Sequence, residues 1–325
     1  MNSASTLSVR VARKAQEATD ICTFELVAAD GRALPAFSAG SHVDVQLPGG
    51  LTRQYSLCND SAESHRYLIG VLLDPASRGG SKAMHELVAQ GQVLQISAPK
   101  NHFPLAHDAK HSLLLAGGIG VTPILCMAER LTMAGADFAM HYCTRSRART
   151  AFHDRIAAAP FASQVAFHFD DGAPAQKFDL AAVLATPQDG THLYVCGPKG
   201  FMDAVRGAAR ARAWPESQLH YEFFSAEPVK SDSDASFDVK LASSGRVIRV
   251  PKDKSITQAL SDAGVEIQTS CEQGVCGTCL TRVIEGVPDH KDLYLTPEEQ
   301  AANHQFTPCC SRPRKPLLRL DQCYR

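Results

Sequence analysis

The segment CEQGVCGTC places cysteines at 271, 276 and 279, and a fourth follows at Cys309. No other feature restricts the fold as much. Four thiols must be brought to one place by a loop that closes around them, and bulky side chains would block it. Gly274, Gly277 and Thr278 meet that need, because their small size lets backbone N–H groups reach the sulfurs. The C-x4-C-x2-C run with a distant fourth cysteine is the plant-type 2Fe–2S spacing, and thiolates are the soft ligands that iron–sulfur chemistry needs. Zinc is the main alternative. Zinc sites usually pair their ligands as two close knuckles, whereas here one close pair exists and Cys309 is followed directly by Cys310. A thioredoxin-type C-x-x-C reading would use Cys276 and Cys279 and leave Cys271 and Cys309 idle. The expected ligands are Cys271, Cys276, Cys279 and Cys309, with Cys310 and Cys323 assigned to packing.

The other 240-odd residues must then serve such a centre. The chain has 325 residues, 44% hydrophobic and 21% charged, with formal net charge −1. That length suits two domains or three small ones, and the apolar content supplies more than one core. A near-neutral chain has no global field to draw nucleic acid or an anionic membrane. The N-terminal stretch lacks the apolar centre of a signal peptide. The uncharged run HSLLLAGGIGVTPILCMA (111–128) approaches membrane-span length, but three glycines and a proline interrupt it. The expectation is a cytoplasmic chain with no membrane and no nucleic-acid partner. Structural disulfides are rare there, so eleven cysteines are not read as a disulfide framework.

Residues 1–108 hold short runs rich in Val, Ile, Leu, Phe and Tyr, such as TLSVRVARK, SHVDVQLP and RYLIGVLLD, often separated by Gly, Pro, Asn or Asp. That spacing predicts an antiparallel barrel, with one helix at SKAMHELVAQG ending at Gly91. Near residue 110 the texture changes. HSLLLAGG, DFAMHYCTRS, QVAFHFDDG, THLYVCGP and QLHYEFFS read as strands. TPILCMAERLTMAG, TAFHDRIAAA, DLAAVLA and GFMDAVRGAARARA read as helices between them. Alternation of this kind predicts a parallel sheet covered by helices. SAEPVKSDSDAS (225–236) is polar and aperiodic, a linker. Beyond it, FDVKLASSGRVIRVP predicts a hairpin and SITQALSDAG a helix.

Two glycine-containing turns end strands of the second region. LLLAGGIGVTPIL carries Gly117, Gly118 and Gly120, and VCGPKGFM carries Gly197 after Cys196. Glycine lets backbone approach a phosphate, and a helix N-terminus attracts its charge. The first turn is not a full G-x-G-x-x-G fingerprint, since position 123 is Pro. Two such turns at the carboxyl edge of one sheet point to a single nucleotide crevice. The competing reading is a pair of tight structural turns, with Cys196 a small buried thiol. In the barrel, RQYSL (53–57) puts Arg53, Tyr55 and Leu57 on one strand face and Ser56 on the other. Arg offers a planar fork for phosphate, and Tyr a flat face for a ring.

RQYSL, GGS, GGIGVTPIL, CGP, YEFF, CEQGVCGTC and CCSR occur in that order. On these motifs the chain resembles the phthalate dioxygenase reductase family, which includes the vanillate demethylase reductases, over almost its whole length. PDHKDLYLTPEE (288–299) is similar to the family's segment between the third and fourth ligands. The resemblance implies an FMN-binding, ferredoxin-reductase-like antiparallel β-barrel (1–108) and an NADH-binding α/β parallel-sheet domain (109–226). A linker (227–236) then leads to an α+β ferredoxin domain of β-grasp fold carrying 2Fe–2S (237–325). It implies that Arg53, Gln54, Tyr55, Ser56 and Leu57 contact FMN, with Gly79, Gly80 and Ser81 at its phosphate. Gly118, Gly120, Thr122, Cys196, Gly197 and Pro198 would line the NADH cleft. Phe224 would border the flavin, and Glu222 would lie near the nicotinamide unless it is a solvated strand carboxylate. TRSRART (144–150) has three arginines that suit a 2′-phosphate, while Asp170 and Asp171 suit a ribose diol; NADH is favoured. The continuation QCYR (322–325) departs from the family's usual end.

The implied function is conversion of a two-electron donor into a one-electron supply. NADH gives a hydride to FMN, and the cluster takes electrons singly. Ser56, Cys196, Glu222 and Phe224 would stand at the reacting atoms, orienting rather than acting as acid or base. The partner would be a terminal oxygenase, typically with a Rieske centre, met in a transient contact. DHKD (289–292) is read as a solvated loop rather than a docking element. The rival readings are a reductase for a di-iron monooxygenase or a cytochrome P450, a non-enzymatic redox sensor, and a structural zinc protein.

Overall fold

The computed structural model describes residues 6–185, 187–224, 235–314 and 317–321. Most of the expected linker, together with QCYR and Cys323, lies outside them. The chain divides into two compact units, one ending at Glu222 and the other beginning at Phe223.

The first unit opens with β1 (Thr6–Ala18), β2 (Ile21–Ala28), β3 (Ser41–Gln46), β4 (Thr52–Ser56), β5 (Tyr67–Leu72), helix α1 (Gly80–Leu87), β6 (Val93–Ser97) and the short β7 (Lys100–Asn101). The strands run antiparallel in the order β4-β3-β6-β1-β2-β5, with β7 paired to β3. The sheet curls until its edges meet, for Leu57, just past β4, bridges Ile69 of β5. Closure removes the exposed edges an open sheet would present. Val9, Phe24, Val43, Val45, Leu57 and Ile69 fill the interior, drawn from alternate positions as strand geometry requires. The helix α1 is shorter than its sequence pattern predicts. Val88 is extended because its side chain is drawn into this barrel core.

The same unit continues with β8 (His111–Gly117), α2 (Val121–Met133), β9 (Phe138–Thr144), α3 (His153–Ala157), β10 (Val165–Phe169), α4 (Leu180–Val183), β11 (Thr191–Cys196), α5 (Lys199–Ala211) and β12 (Leu219–Glu222). All five strands are parallel, in the order β10-β9-β8-β11-β12. The strand order reverses between β8 and β11, which makes a crevice beyond their carboxyl ends the natural ligand position. The apolar run at 111–128 is therefore a buried strand, a turn and the start of a buried helix. Among the described residues no helix is long and apolar enough to cross a membrane. Helix α3 is also shorter than expected, because Phe152 takes φ 59° and turns its ring into the core. That core is shared: Ile21, Cys58 and Phe103 pack with Leu114, Ile124 and Tyr142.

The second unit holds β13 (Phe237–Leu241), β14 (Val247–Val250), α6 (Ile256–Asp262), β15 (Thr281–Glu285), β16 (Pro288–Asp289), α7 (Pro297–Ala302), β17 (Gln305–Phe306), β18 (Arg312–Pro313) and β19 (Leu317–Asp321). Its main sheet has the order β14-β13-β19-β15-β17. Only β13 and β19 run parallel within it. Helix α6 starts at a capping box of Ser255 and Gln258, which satisfies two otherwise orphaned N–H groups. Its Ile256 and Leu260 pack with Val239, Phe306 and Leu318. All ten described cysteines are free thiols.

Candidate functional site

Strand β4 carries the first group of site residues. Its register with β3 pairs His42 with Ser56, Val43 with Tyr55 and Val45 with Arg53. Tyr55 packs against the barrel core, and burial pushes its phenol well above the ordinary range. Ser56 and Gln54 share the other face. There a 3.0 Å hydrogen bond joins Gln54 Nε2 to His42 Nε2. His42 is 3% exposed, and burial pulls its imidazole down to about 4, so it is neutral near pH 7. No linear motif marks His42; only the strand register brings it here.

Arg53 reaches from β4 to the turn at 78–81. Its Nη1 donates to Thr52 O at 2.7 Å and its Nη2 to Arg78 O at 3.3 Å. A Cβ on Gly80 would lie 2.6 Å from Arg53 Cγ, so the arginine lies against the glycine. Gly79 takes φ 90° and caps α1 without a side-chain hydrogen bond. The N–H groups of the first turn of α1 thus lie beside a guanidinium, an arrangement that suits a phosphate. Ser81 Oγ accepts from Asp74 N at 3.2 Å. The fold therefore brings RQYS and RGGS together, and they fit the phosphate end of a flavin mononucleotide.

The carboxyl ends of β8 and β11 are built by close backbone contact. A Cβ on Gly120 would lie 2.2 Å from Cys196 O, and one on Gly197 would lie 2.9 Å from Gly117 Cα. Only glycine permits this approach. Thr122 is buried; its hydroxyl donates to Ile119 O at 3.1 Å, and its methyl faces the Gly70 position of β5. Pro198 caps α5. Gly118 takes φ 53° and has open space where a Cβ would be, so the crevice side of the turn is clear.

Glu222 joins the two halves. It lies beside Cys196 in the parallel register of β11 and β12, and its Oε2 accepts from Ser56 Oγ at 3.2 Å. It is half-buried rather than fully solvated. Burial pushes its acid up to about 7, with the Ser56 hydrogen bond opposing. Burial likewise raises the Cys196 thiol well above its usual value, so it is inert as a nucleophile. Because the folded chain holds the Glu222 proton more tightly than the unfolded chain, its contribution is full below about 4.5 and is lost as pH rises through about 7. Glu222→Gln should flatten the fall in stability between about pH 5 and about pH 8.5, gaining up to about 3 kcal/mol over wild type at the alkaline end. Urea unfolding at both pH values checks this; an unchanged slope would mean that Glu222 is not the buried acid.

The remaining residues expected at a pyridine nucleotide sit at the sheet edge and beyond it. Asp170 and Asp171 follow β10, both exposed, with their N–H groups bonded to Thr144 O and Arg145 O. Two arginines of TRSRART are engaged: Arg149 pairs with Asp20 at 2.7 Å, and Arg147 with Asp154 at 3.4 Å. Phe224 belongs to the second unit and is 38% exposed.

In the second unit Cys271, Cys276, Cys279 and Cys309 are all buried. Cys276 is in contact with Cys271, and Cys309 with Cys279, Cys271 and Cys310. Backbone N–H groups of Gln273 and Thr278 point at the sulfurs of Cys271 and Cys276, at 3.4 and 3.5 Å. Contact with Cys271, then burial, pushes the Cys276 thiol far above its usual value. Such crowding favours a bound cation that compensates thiolate charge. The four thiols thus gather at one place in the fold, as a shared metal centre requires. Gly274 and Gly277 have φ 73° and 69°, as a loop folded tightly around a cluster requires.

The segment DHKD is not the solvated loop its charges predict. The side chains of His290 and Asp292 are 8% and 0% exposed, with Nδ1 and Oδ1 3.3 Å apart. The Tyr294 ring lies on Gly277. Neither contact is signalled in the sequence, where a charged run reads as surface.

Residues 239–314 match the family described as 2Fe-2S iron-sulfur cluster binding domain, and residues 97–219 match the family described as dimethylamine monooxygenase subunit DmmA-like, N-terminal domain. A vanillate O-demethylase oxidoreductase of Pseudomonas putida is 56% identical over 312 residues, spanning 96% of this chain and 98% of its own. The solved structure of phthalate dioxygenase reductase, described as modular for electron transfer from pyridine nucleotides to [2Fe-2S], has TM-score 0.77 and 39% identity, and covers 98% of both chains. An intact type IV self-sufficient cytochrome P450 monooxygenase has TM-score 0.84 and 40% identity, covering 97% of this chain and 41% of the other.

Proposed function

The chain belongs to the family of phthalate dioxygenase reductase and vanillate O-demethylase oxidoreductase, and we propose from that premise that its client is a Rieske-type terminal oxygenase acting on an aromatic acid. It is an NADH-dependent flavin iron–sulfur oxidoreductase, the reductase component of an oxygenase system. FMN, when bound, would supply a hydride acceptor for NADH and the 2Fe–2S cluster a one-electron carrier, which is what would let a two-electron donor feed one-electron chemistry.

The observation that carries the site assignment is the Ser56–Glu222 hydrogen bond at the mouth of the crevice. It ties the barrel strand that would hold the flavin to the sheet edge that would hold the nicotinamide. Arg53, Gly79, Gly80 and the first turn of α1 bind the flavin phosphate, and Ser81 shapes that turn. Tyr55 and Leu57 support the ring, and Gln54 is held in place by His42. Ser56 orients the flavin's reactive edge, and Glu222 holds a proton beside it. Gly118, Gly120, Thr122, Cys196, Gly197 and Pro198 form the crevice wall, which excludes water from the nicotinamide. Asp171 takes the ribose diol. Cys271, Cys276, Cys279 and Cys309 would hold the cluster, supplying its four thiolates. The three domains run 1–108, 109–226 and 237–325.

The 56% identity to a vanillate O-demethylase oxidoreductase favours the Rieske client. The likeness to the corresponding part of a self-sufficient P450 favours a haem client. Mixing the NADH-reduced protein anaerobically with a purified Rieske oxygenase, or with a P450, separates them. Rapid bleaching of the Rieske centre is expected. Reduction of the haem alone would overturn the Rieske reading.

A further inference from the structure

The two segments that carry the thiols, the 271–279 loop and the 307–311 turn, are far apart in sequence, yet four thiolates must be held in one geometry. One short stretch, residues 290–295, touches both. On the loop side, Leu293 N donates to Gly274 O at 3.0 Å. Atoms Cα and Cβ of Asp292 lie 3.0 Å from where a Gly274 Cβ would be, and Tyr294 Cζ lies 2.3 Å from where a Gly277 Cβ would be. On the turn side, Lys291 N donates to Ser311 Oγ at 3.2 Å. Ser311 Oγ lies 3.5 Å from Asp292 Oδ1, and Ser311 N is bonded to Thr307 O. The stretch itself is held by Asp292, whose Oδ2 accepts from Leu295 N at 2.9 Å and whose carbonyl accepts from Gln300 Nε2 at 3.3 Å. A fully buried carboxylate would not be kept here unless its bonds were needed.

We propose that residues 290–295 form a strap that sets the separation of the two ligand-bearing segments, with Asp292 as its positioning residue. The inference rests on the reading that Cys271, Cys276, Cys279 and Cys309 hold the cluster. Asp292 touches no ligand sulfur; it acts through Gly274, Leu295 and Ser311. Removing it frees the 307–311 turn from the loop. It also removes a buried carboxyl group, 3.3 Å from His290 Nδ1, from beside a centre that gains an electron, so the midpoint potential moves.

The test compares the full chain with Asp292→Ala, Asp292→Asn, Ser311→Ala and a control, Asp289→Asn, at a nearby half-buried carboxylate that faces Arg314. Iron and acid-labile sulfide, the rate of iron release to a chelator, and the midpoint potential followed by EPR are measured on each. Asp292→Ala should release iron on the order of tenfold faster, in the range typical of outer-shell changes. Asp292→Asn keeps an acceptor for Leu295 N–H; it should hold iron nearly as wild type while its potential moves. Ser311→Ala should fall between, and Asp289→Asn should match wild type. A folded Asp292→Ala protein with the wild-type release rate overturns the strap. If Asp292→Ala does not fold, a wild-type rate in Ser311→Ala overturns it. Wild-type protein that takes up no iron or sulfide would instead sink the cluster reading itself.

Discussion

With Cys279 replaced by alanine, NADH should still bleach the flavin, and electrons should go no further. Cys279 is 3% exposed and in contact with Cys309, and one of four thiolates cannot be lost without opening an iron to solvent. Iron and sulfide should fall to background. Transfer to the oxygenase should drop by more than about 100-fold, beyond what outer-shell changes cause. The first-unit residues proposed to hold the flavin and the nicotinamide lie outside the unit that contains Cys279. Ferricyanide reduction, taken directly from the flavin, should therefore stay within about twofold, as expected for independent units. Stopped-flow absorbance separates the two phases. If the oxygenase is still reduced at the wild-type rate, the cluster is not on the electron route.

Gly120→Ala should strike the other end of the chain of transfers. The added Cβ would meet Cys196 O at 2.2 Å, Cys196 C at 2.4 Å and Gly197 N at 2.6 Å. All three are backbone atoms, so no rotamer change relieves the clash. The two crevice turns must separate, and a misplacement of about 1 Å can cost about 10²-fold. The expected loss of that size is in kcat/KM for NADH, with about 1–3 kcal/mol of stability lost to overpacking. Gly200→Ala is the control, since nothing lies within 4 Å of its Cβ position. Steady-state kinetics with ferricyanide reads the effect without the cluster. Equal activity in the two variants would show that the turns do not shape the nicotinamide site.

How much of this was legible differs by element. The strands of the parallel sheet could be read because buried parallel strands are continuous apolar runs, as in HSLLLAG and THLYVC. The ends of α1 and α3 could not. Val88 and Phe152 have side chains that the core takes up, and that pull outweighs the local helical pattern. The motif residues were likewise visible one at a time, but not their company. His42 reaches Gln54 only through the β3–β4 register, a long-range property. DHKD was misread because charge on a short segment predicts exposure, whereas Asp292 is buried, with Leu295 N–H and the distant Ser311 hydroxyl on its carboxyl group.

By itself the sequence determined the kinds of chemistry present. Cysteine spacing, glycine at positions where backbone must approach backbone, and alternation of apolar runs are local properties that survive in a linear string. Which groups meet was decided only by the tertiary structure. Ser56 and Glu222 are 166 positions apart, and their hydrogen bond exists because the barrel and the parallel sheet share one core. The pushed-up acid at Glu222 follows from that burial, since the cost of charging a carboxyl depends on how much water the whole fold excludes around it.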